Sequence, residues 1–217
     1  MADNRVFSYI TLTELYILLA AAGVDRWYGP GLENVETTRK FNRVMADMYH
    51  KEMIDWDGDA AMIRKDISTA IEAIKNAKGC ILIGKQSGEQ GLSYIYAYGE
   101  RITELYISQR DENRVRMTEM SFDEWIRQLE EDNYYPELII DEPEVTIADL
   151  ESREADVCSV MELRDMLTGD IQAQIHVVDN GTYGVIYLTC EDAQDIHICS
   201  HDEYEQLLRN WTEGRPV

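Results

Sequence analysis

Two segments 79 residues apart constrain this chain most. Ser121-Phe122-Asp123-Glu124-Trp125 aligns with Ser200-His201-Asp202-Glu203-Tyr204, and Leu129 aligns with Leu208. Each segment opens with a capping box. A hydroxyl accepts from the amide three positions on, and the glutamate there reaches back to the first amide. Met120 and Cys199 stand at the staple position before each box, and Trp125 and Tyr204 occupy the fourth helical position.

The order of elements before each helix is the same. After Gly79 the apolar period changes from helical to alternating. Cys80 to Gly84, Leu92 to Tyr98, Ile102 to Ser108 and Arg114 to Met120 read as four strands, closed by a helix from Phe122 to Glu130. Tyr94, Tyr96 and Tyr98 share one face, because every second strand residue points the same way. Val157 to Arg164, Ala173 to Val178, Tyr183 to Thr189 and Asp195 to Cys199 then read as four more strands, closed by a helix from His201 to Trp211. Met161 to Leu167 is compatible with helix as well as strand. The pattern predicts an α+β chain with two duplicated ββββα units, at 80–131 and 157–217, in one domain spanning 1–217.

The N-terminal segment, 1–79, reads as helical. Thr11-Leu12-Thr13-Glu14 is a third capping box, with Ile10 and Leu15 placed as a staple and Gly23 as a left-handed stop. Phe41, Val44, Met45, Met48 and Tyr49 recur at helical spacing. Asp55 to Asp59 reads as a turn running into a cap at Asp59. Ile63, Ile67, Ile71 and Ile74 mark a further helix that Gly79 ends. Between the two units, 132–156 reads as an acidic connection with a short helix near Ile147 to Glu151. Glu130 to Asp156 holds eleven acidic residues against the single base Arg153.

Composition excludes some function classes. Hydrophobic residues make up 45% of the 217, enough to bury a core without metal or disulfide staples. Forty-two acidic residues face twenty basic ones, for a net charge of -22. Such a surface repels nucleic acid and anionic lipid and attracts basic partners. The first apolar stretch carries Glu14, is too short to span a bilayer and follows the single basic residue Arg5, so the expectation is a cytoplasmic protein. Cys80, Cys158, Cys190 and Cys199 form no CxxC pair and are expected to be free thiols.

Constellations for chemistry are sparse. His197, Cys199 and His201 alternate near Cys190, but His201 falls past a helix cap and no second ligand cluster has metal spacing. Asp55, Asp57 and Asp59 have the spacing that opens a calcium loop, yet Ala60 and Asp66 stand where such a loop needs Gly and Glu. Gly84 to Gly91 is a glycine-rich loop with Lys85, without the phosphate-binding order and followed by a strand. No GxSxG or HExxH motif occurs, and the four histidines form no triad with a nucleophile. The expectation is a binding protein that is not an enzyme and has no cofactor or metal.

Taken together, Leu12-Thr13-Glu14-Leu15-Tyr16 with Gly23, then Met53-Ile54-Asp55-Trp56-Asp57-Gly58 before an isoleucine-rich helix, resemble the EspG-like proteins, the cytosolic chaperones of type VII (ESX) secretion. The strand series after Gly79, Ser121 to Leu129, and the second series ending at Ser200 to Leu208 continue the resemblance. It implies a central antiparallel sheet flanked by helices on a quasi-two-fold plan. It also implies a protein partner, a helical secretion substrate whose apolar tip is held before export. By position, the substrate-contacting hairpin corresponds to Lys85, Gln86, Ser87, Glu89 and Gln90, and a second contact region to Tyr134, Tyr135 and Ile147. Acidity also suits an immunity or inhibitor protein that covers a basic toxin or a nucleic-acid-binding protein.

Overall fold

The structure is a computed structural model and describes residues 5–31, 41–58, 60–85, 91–108, 110, 114–132, 134, 156–179, 184–189 and 197–216. The first predicted unit is present as β4 (Gly79–Lys85), β5 (Gly91–Tyr98), β6 (Arg101–Ser108), β7 (Arg114–Ser121) and α4 (Phe122–Glu131). The second comprises β8 (Asp156–Asp165), β9 (Ile171–Asp179), β10 (Gly184–Thr189), β11 (His197–Ile198) and α5 (His201–Thr212). Met161 to Asp165 is therefore strand, and the chain turns only after it.

The N-terminal segment is not wholly helical. Its helices α1 (Leu12–Ala21), α2 (Phe41–His50) and α3 (Lys65–Asn76) are joined by three strands that local pattern missed: β1 (Arg5–Thr11), β2 (Ile54–Asp57) and β3 (Ala60–Ile63). Strand β1 pairs with β7, more than a hundred residues away, so nothing local announces it. Strands β2 and β3 form a hairpin in which Ile54 opposes Ile63 and Gly58 takes a positive φ of 63°. Ile63 thus belongs to a strand. Helix α3 is capped by Arg64 without a side-chain bond, not by Asp59, which lies outside the described residues. Its C-cap is Ala77, and Gly79 opens β4 instead of closing the helix.

Among the described residues nine strands form one antiparallel sheet, ordered β1-β7-β6-β5-β4-β8-β9-β10-β11. The two four-strand meanders meet at their first strands, so the order is mirrored about the β4–β8 pair. Register there is two-fold as well: Leu82 opposes Glu162, while Ile81 opposes Leu163 and Ile83 opposes Met161. Among the described residues, strand β1 extends the first half and no strand extends the second.

Alternation in β4 sends Ile81 and Ile83 to one face and Cys80 and Leu82 to the other, and each face carries its own core. On one face lie α4 and α5, with Phe122, Trp125, Leu129, Tyr204, Leu208 and Trp211 packed on Met161, Leu163 and Ile175. These helices run antiparallel. Arg209, near the end of α5, reaches Asp123 at 3.3 Å and lies 4.1 Å over the ring of Phe122 at the start of α4. On the other face α1 and α3 bury Leu15, Leu18, Ile67, Ile71 and Ile74 against Tyr94, Tyr96, Leu105 and Met117.

All three capping boxes form. Thr11, Ser121 and Ser200 each accept from the third helical amide, and Glu14, Glu124 and Glu203 return to the cap amide at 2.7, 2.7 and 2.8 Å. Removing the cap hydroxyl leaves that third amide without its acceptor. Ser121→Ala and Ser200→Ala are each expected to lower stability by about 1 kcal/mol in urea denaturation. Helices α4 and α5 do not touch through these boxes, so the two losses should add in the double variant.

Candidate functional site

The position-based contact residues fall at one end of the sheet where the structure describes them. Lys85 ends β4, its backbone paired with Ser159 of β8, and Gly91 opens β5. Gln86, Ser87, Glu89 and Gln90 lie outside the described residues, as do Tyr135 and Ile147. Tyr134 follows α4. Its amide donates to the Leu129 carbonyl at 2.8 Å, and its half-buried side chain packs on the core beneath α4 and α5. Its carbonyl accepts from the Tyr204 hydroxyl at 3.5 Å.

Next to Tyr134, on the same sheet face, lies a polar cluster that no local motif marks. Glu104 sits at the middle of β6 and is only 4% exposed. Ser93 Oγ on β5 donates to its Oε1 at 2.7 Å, and Gln128 Nε2 on α4 lies 3.4 Å from its Oε2. Arg116 on β7 places Nη2 3.6 Å from the same Oε2. The Arg116 guanidinium also lies 4.8 Å from the centre of the Tyr106 ring, a cation–π stack. Tyr106 in turn fills the space above Gly91, where a Cβ would come within 2.4 Å of its ring. Glycine at 91 is thus what lets the Tyr106 ring lie over the base of the β4–β5 hairpin. Through it the hairpin base, Tyr106, Arg116 and Tyr134 share one neighbourhood.

Burial pushes the Tyr134 phenol above its ordinary range, and the negative charges of Asp132 and Glu104 push it the same way. It stays a neutral hydroxyl at any physiological pH. Glu104 is a hydrogen-bond acceptor already engaged by three neighbours, Ser93, Gln128 and Arg116. The arrangement is equipped to bind and orient a group. A signal was present in the sequence: in β6 the alternation Ile102, Glu104, Tyr106 puts a carboxylate on a core-facing position.

The remaining candidates are dispersed. Cys199 is buried in the core beneath α5 while His201 is exposed on the helix, and the His197 side chain lies outside the described ones. Among the described residues no three His, Cys, Asp or Glu side chains are grouped to hold a metal. Asp55 and Asp57 lie on β2 and not in a turn. Cys80 is enclosed against Tyr96, and burial pushes its thiol up to about 12, which makes it a poor nucleophile. A cavity of about 510 Å³ is lined by Arg64, Lys65, Asp66, Thr69, Arg101 and Glu119. Its arginines are committed to ion pairs, Arg64 with Glu52 and Asp66 and Arg101 with Glu119. Among the described residues no helix is long and apolar enough to cross a membrane.

No known family model matches the chain, and no curated protein matches it.

Proposed function

We propose that this chain is a non-enzymatic cytoplasmic chaperone or adaptor that binds a helical type VII secretion substrate before export. The observation that carries the reading is the convergence at one end of the sheet. There the base of the β4–β5 hairpin and Tyr134, which the EspG-like resemblance marks for partner contact, share one face with the half-exposed Arg116–Tyr106 stack, which it does not mark. The neighbourhood offers aromatic area, one oriented cation and hydrogen-bonding groups, the usual makings of a protein interface. The mirrored strand order and shared capping boxes also support descent from a duplicated ββββα unit.

The test is co-purification of tagged protein from its native cytosol, with the retained proteins identified by mass spectrometry. A small helical-hairpin secretion substrate is expected at near-stoichiometric amount. Capture of a basic toxin instead would replace the chaperone reading with the immunity reading, which the net charge of -22 favours. The two also separate by salt. An interface driven by that charge should weaken steeply between roughly 50 and roughly 500 mM salt, as the Debye length shrinks, and an apolar helical tip should stay bound.

A further inference from the structure

We propose that Arg116 anchors this site by taking a carboxylate of the partner, with Glu104 as the positioning residue beneath it. The inference rests on the reading of this end of the sheet as a protein-binding surface.

The mirrored sheet supplies an internal control. In the first half Ser93 opposes Ile83, and Glu104 opposes Ile95. At the topologically equivalent places of the second half, Ala173 opposes Leu163 and Leu188 opposes Ile175. The same register positions of the fold therefore carry alanine and leucine, and the topology does not require serine and glutamate there. A buried carboxylate with its counter-ion is seldom more stable than the apolar residues that would replace it. The polar cluster is thus an addition to the fold that stability does not explain.

Its geometry says which group faces outward. The Glu104 side chain is 5% exposed and that of Arg116 is 35% exposed. Glu104 is held from below by Ser93 and Gln128, so it fixes Arg116 from the protein side. The Tyr106 ring holds the guanidinium plane. Nε of Arg116 is enclosed, so the donors that face outward are those of the Nη groups, of which Nη1 makes no hydrogen bond among the described residues. A guanidinium so oriented presents a planar donor edge, the shape that recognises a carboxylate. The arginines of the cavity at the start of α3 differ: Arg64 already hydrogen-bonds Glu52 and Asp66, and Arg101, 58% exposed, has no ring among the described residues to hold its plane. On a chain with net charge -22, most of the surface repels a partner carboxylate, so a single oriented arginine fixes where one can land and sets the register of docking.

Two measurements test this together. Arginine side-chain Nε–H resonances are followed in the whole protein during an acetate titration, with chloride at matched ionic strength as control. A saturable shift confined to Arg116 is expected, with Arg64 and Arg101 unmoved. Equal shifts at all three, or none at Arg116, would overturn the proposal. Then Arg116→Lys, checked by urea denaturation to be folded, is compared with the parent for the co-purified partner. Lysine keeps the charge and loses the planar fork, so affinity should fall about tenfold or more. Unchanged affinity would sink the carboxylate anchor while leaving the chaperone reading in place. A saturable acetate site at Arg116 in a protein that retains no partner would do the reverse, supporting the site and removing the chaperone reading.

Discussion

Replacing Trp125 with alanine should lower stability by about 3–5 kcal/mol, a large part of the roughly 5–15 kcal/mol typical of a folded domain. Trp125 is 1% exposed and lies edge-on to Phe122, with ring centroids 5.8 Å apart. It fastens α4 to the sheet at the place where Tyr204 fastens α5. Truncation removes the indole's burial and leaves a cavity that strands β6 and β7 cannot close, because their register is fixed on both sides. Urea denaturation would show a lower midpoint with an unchanged slope. Trp125→Phe keeps most of the volume and should lose much less. A loss below about 1 kcal/mol for the alanine variant would mean that α4 does not hold the core as described.

The second large effect is with pH. Cys80, Tyr94, Tyr96 and Tyr28 lie together on the face covered by α1 and α3. Burial raises Cys80 from 9.0 to about 12, raises Tyr94 from 10.0 to about 12, and raises Tyr96 and Tyr28 as well. Raised folded values mean that the native state holds these protons more tightly than the unfolded chain. The stabilisation is therefore complete below about pH 9, where both states are protonated. It is lost as pH rises from about 9 toward about 12, because the unfolded chain ionises first. For Cys80 alone the loss should reach about 2 kcal/mol by about pH 10.5, and the tyrosines add to it. Stability from urea denaturation at about pH 7.5, 9 and 10.5 would read this directly, with Cys80→Ala expected to flatten the decline. A flat profile, or one that Cys80→Ala leaves as steep, would show that another group titrates on unfolding.

The residues that local pattern could place were those whose structure is decided within a few positions. Thr11-Glu14, Ser121-Glu124 and Ser200-Glu203 close their caps over three residues, so the three helix starts were legible. The strands β4 to β7 announce themselves by alternation. Strand β1 did not, because Arg5 to Thr11 is extended only by virtue of its pairing with β7. Asp55 to Asp57 carry turn-forming residues, yet the pairing of Ile54 with Ile63 extends them. The candidate site divides the same way. Tyr134 and the hairpin at Lys85 were reached by position along the chain. Ser93, Glu104, Arg116 and Gln128 were not, since they come from three strands and a helix and meet only across registers.

Interactions between near neighbours in the chain thus settle the class of fold, the order of its two strand series and the starts of three helices, because periodicity and capping act over a few residues. Composition settles the acidity that any partner meets at long range. Long-range packing settles the rest: the two series join at their first strands, the N-terminal helices cover one face of the first half, and Arg116 rests on Tyr106 above a buried Glu104. Those outcomes depend on which strand edges pair. That choice is made by burial summed over residues far apart in the chain, which no short stretch of sequence can express.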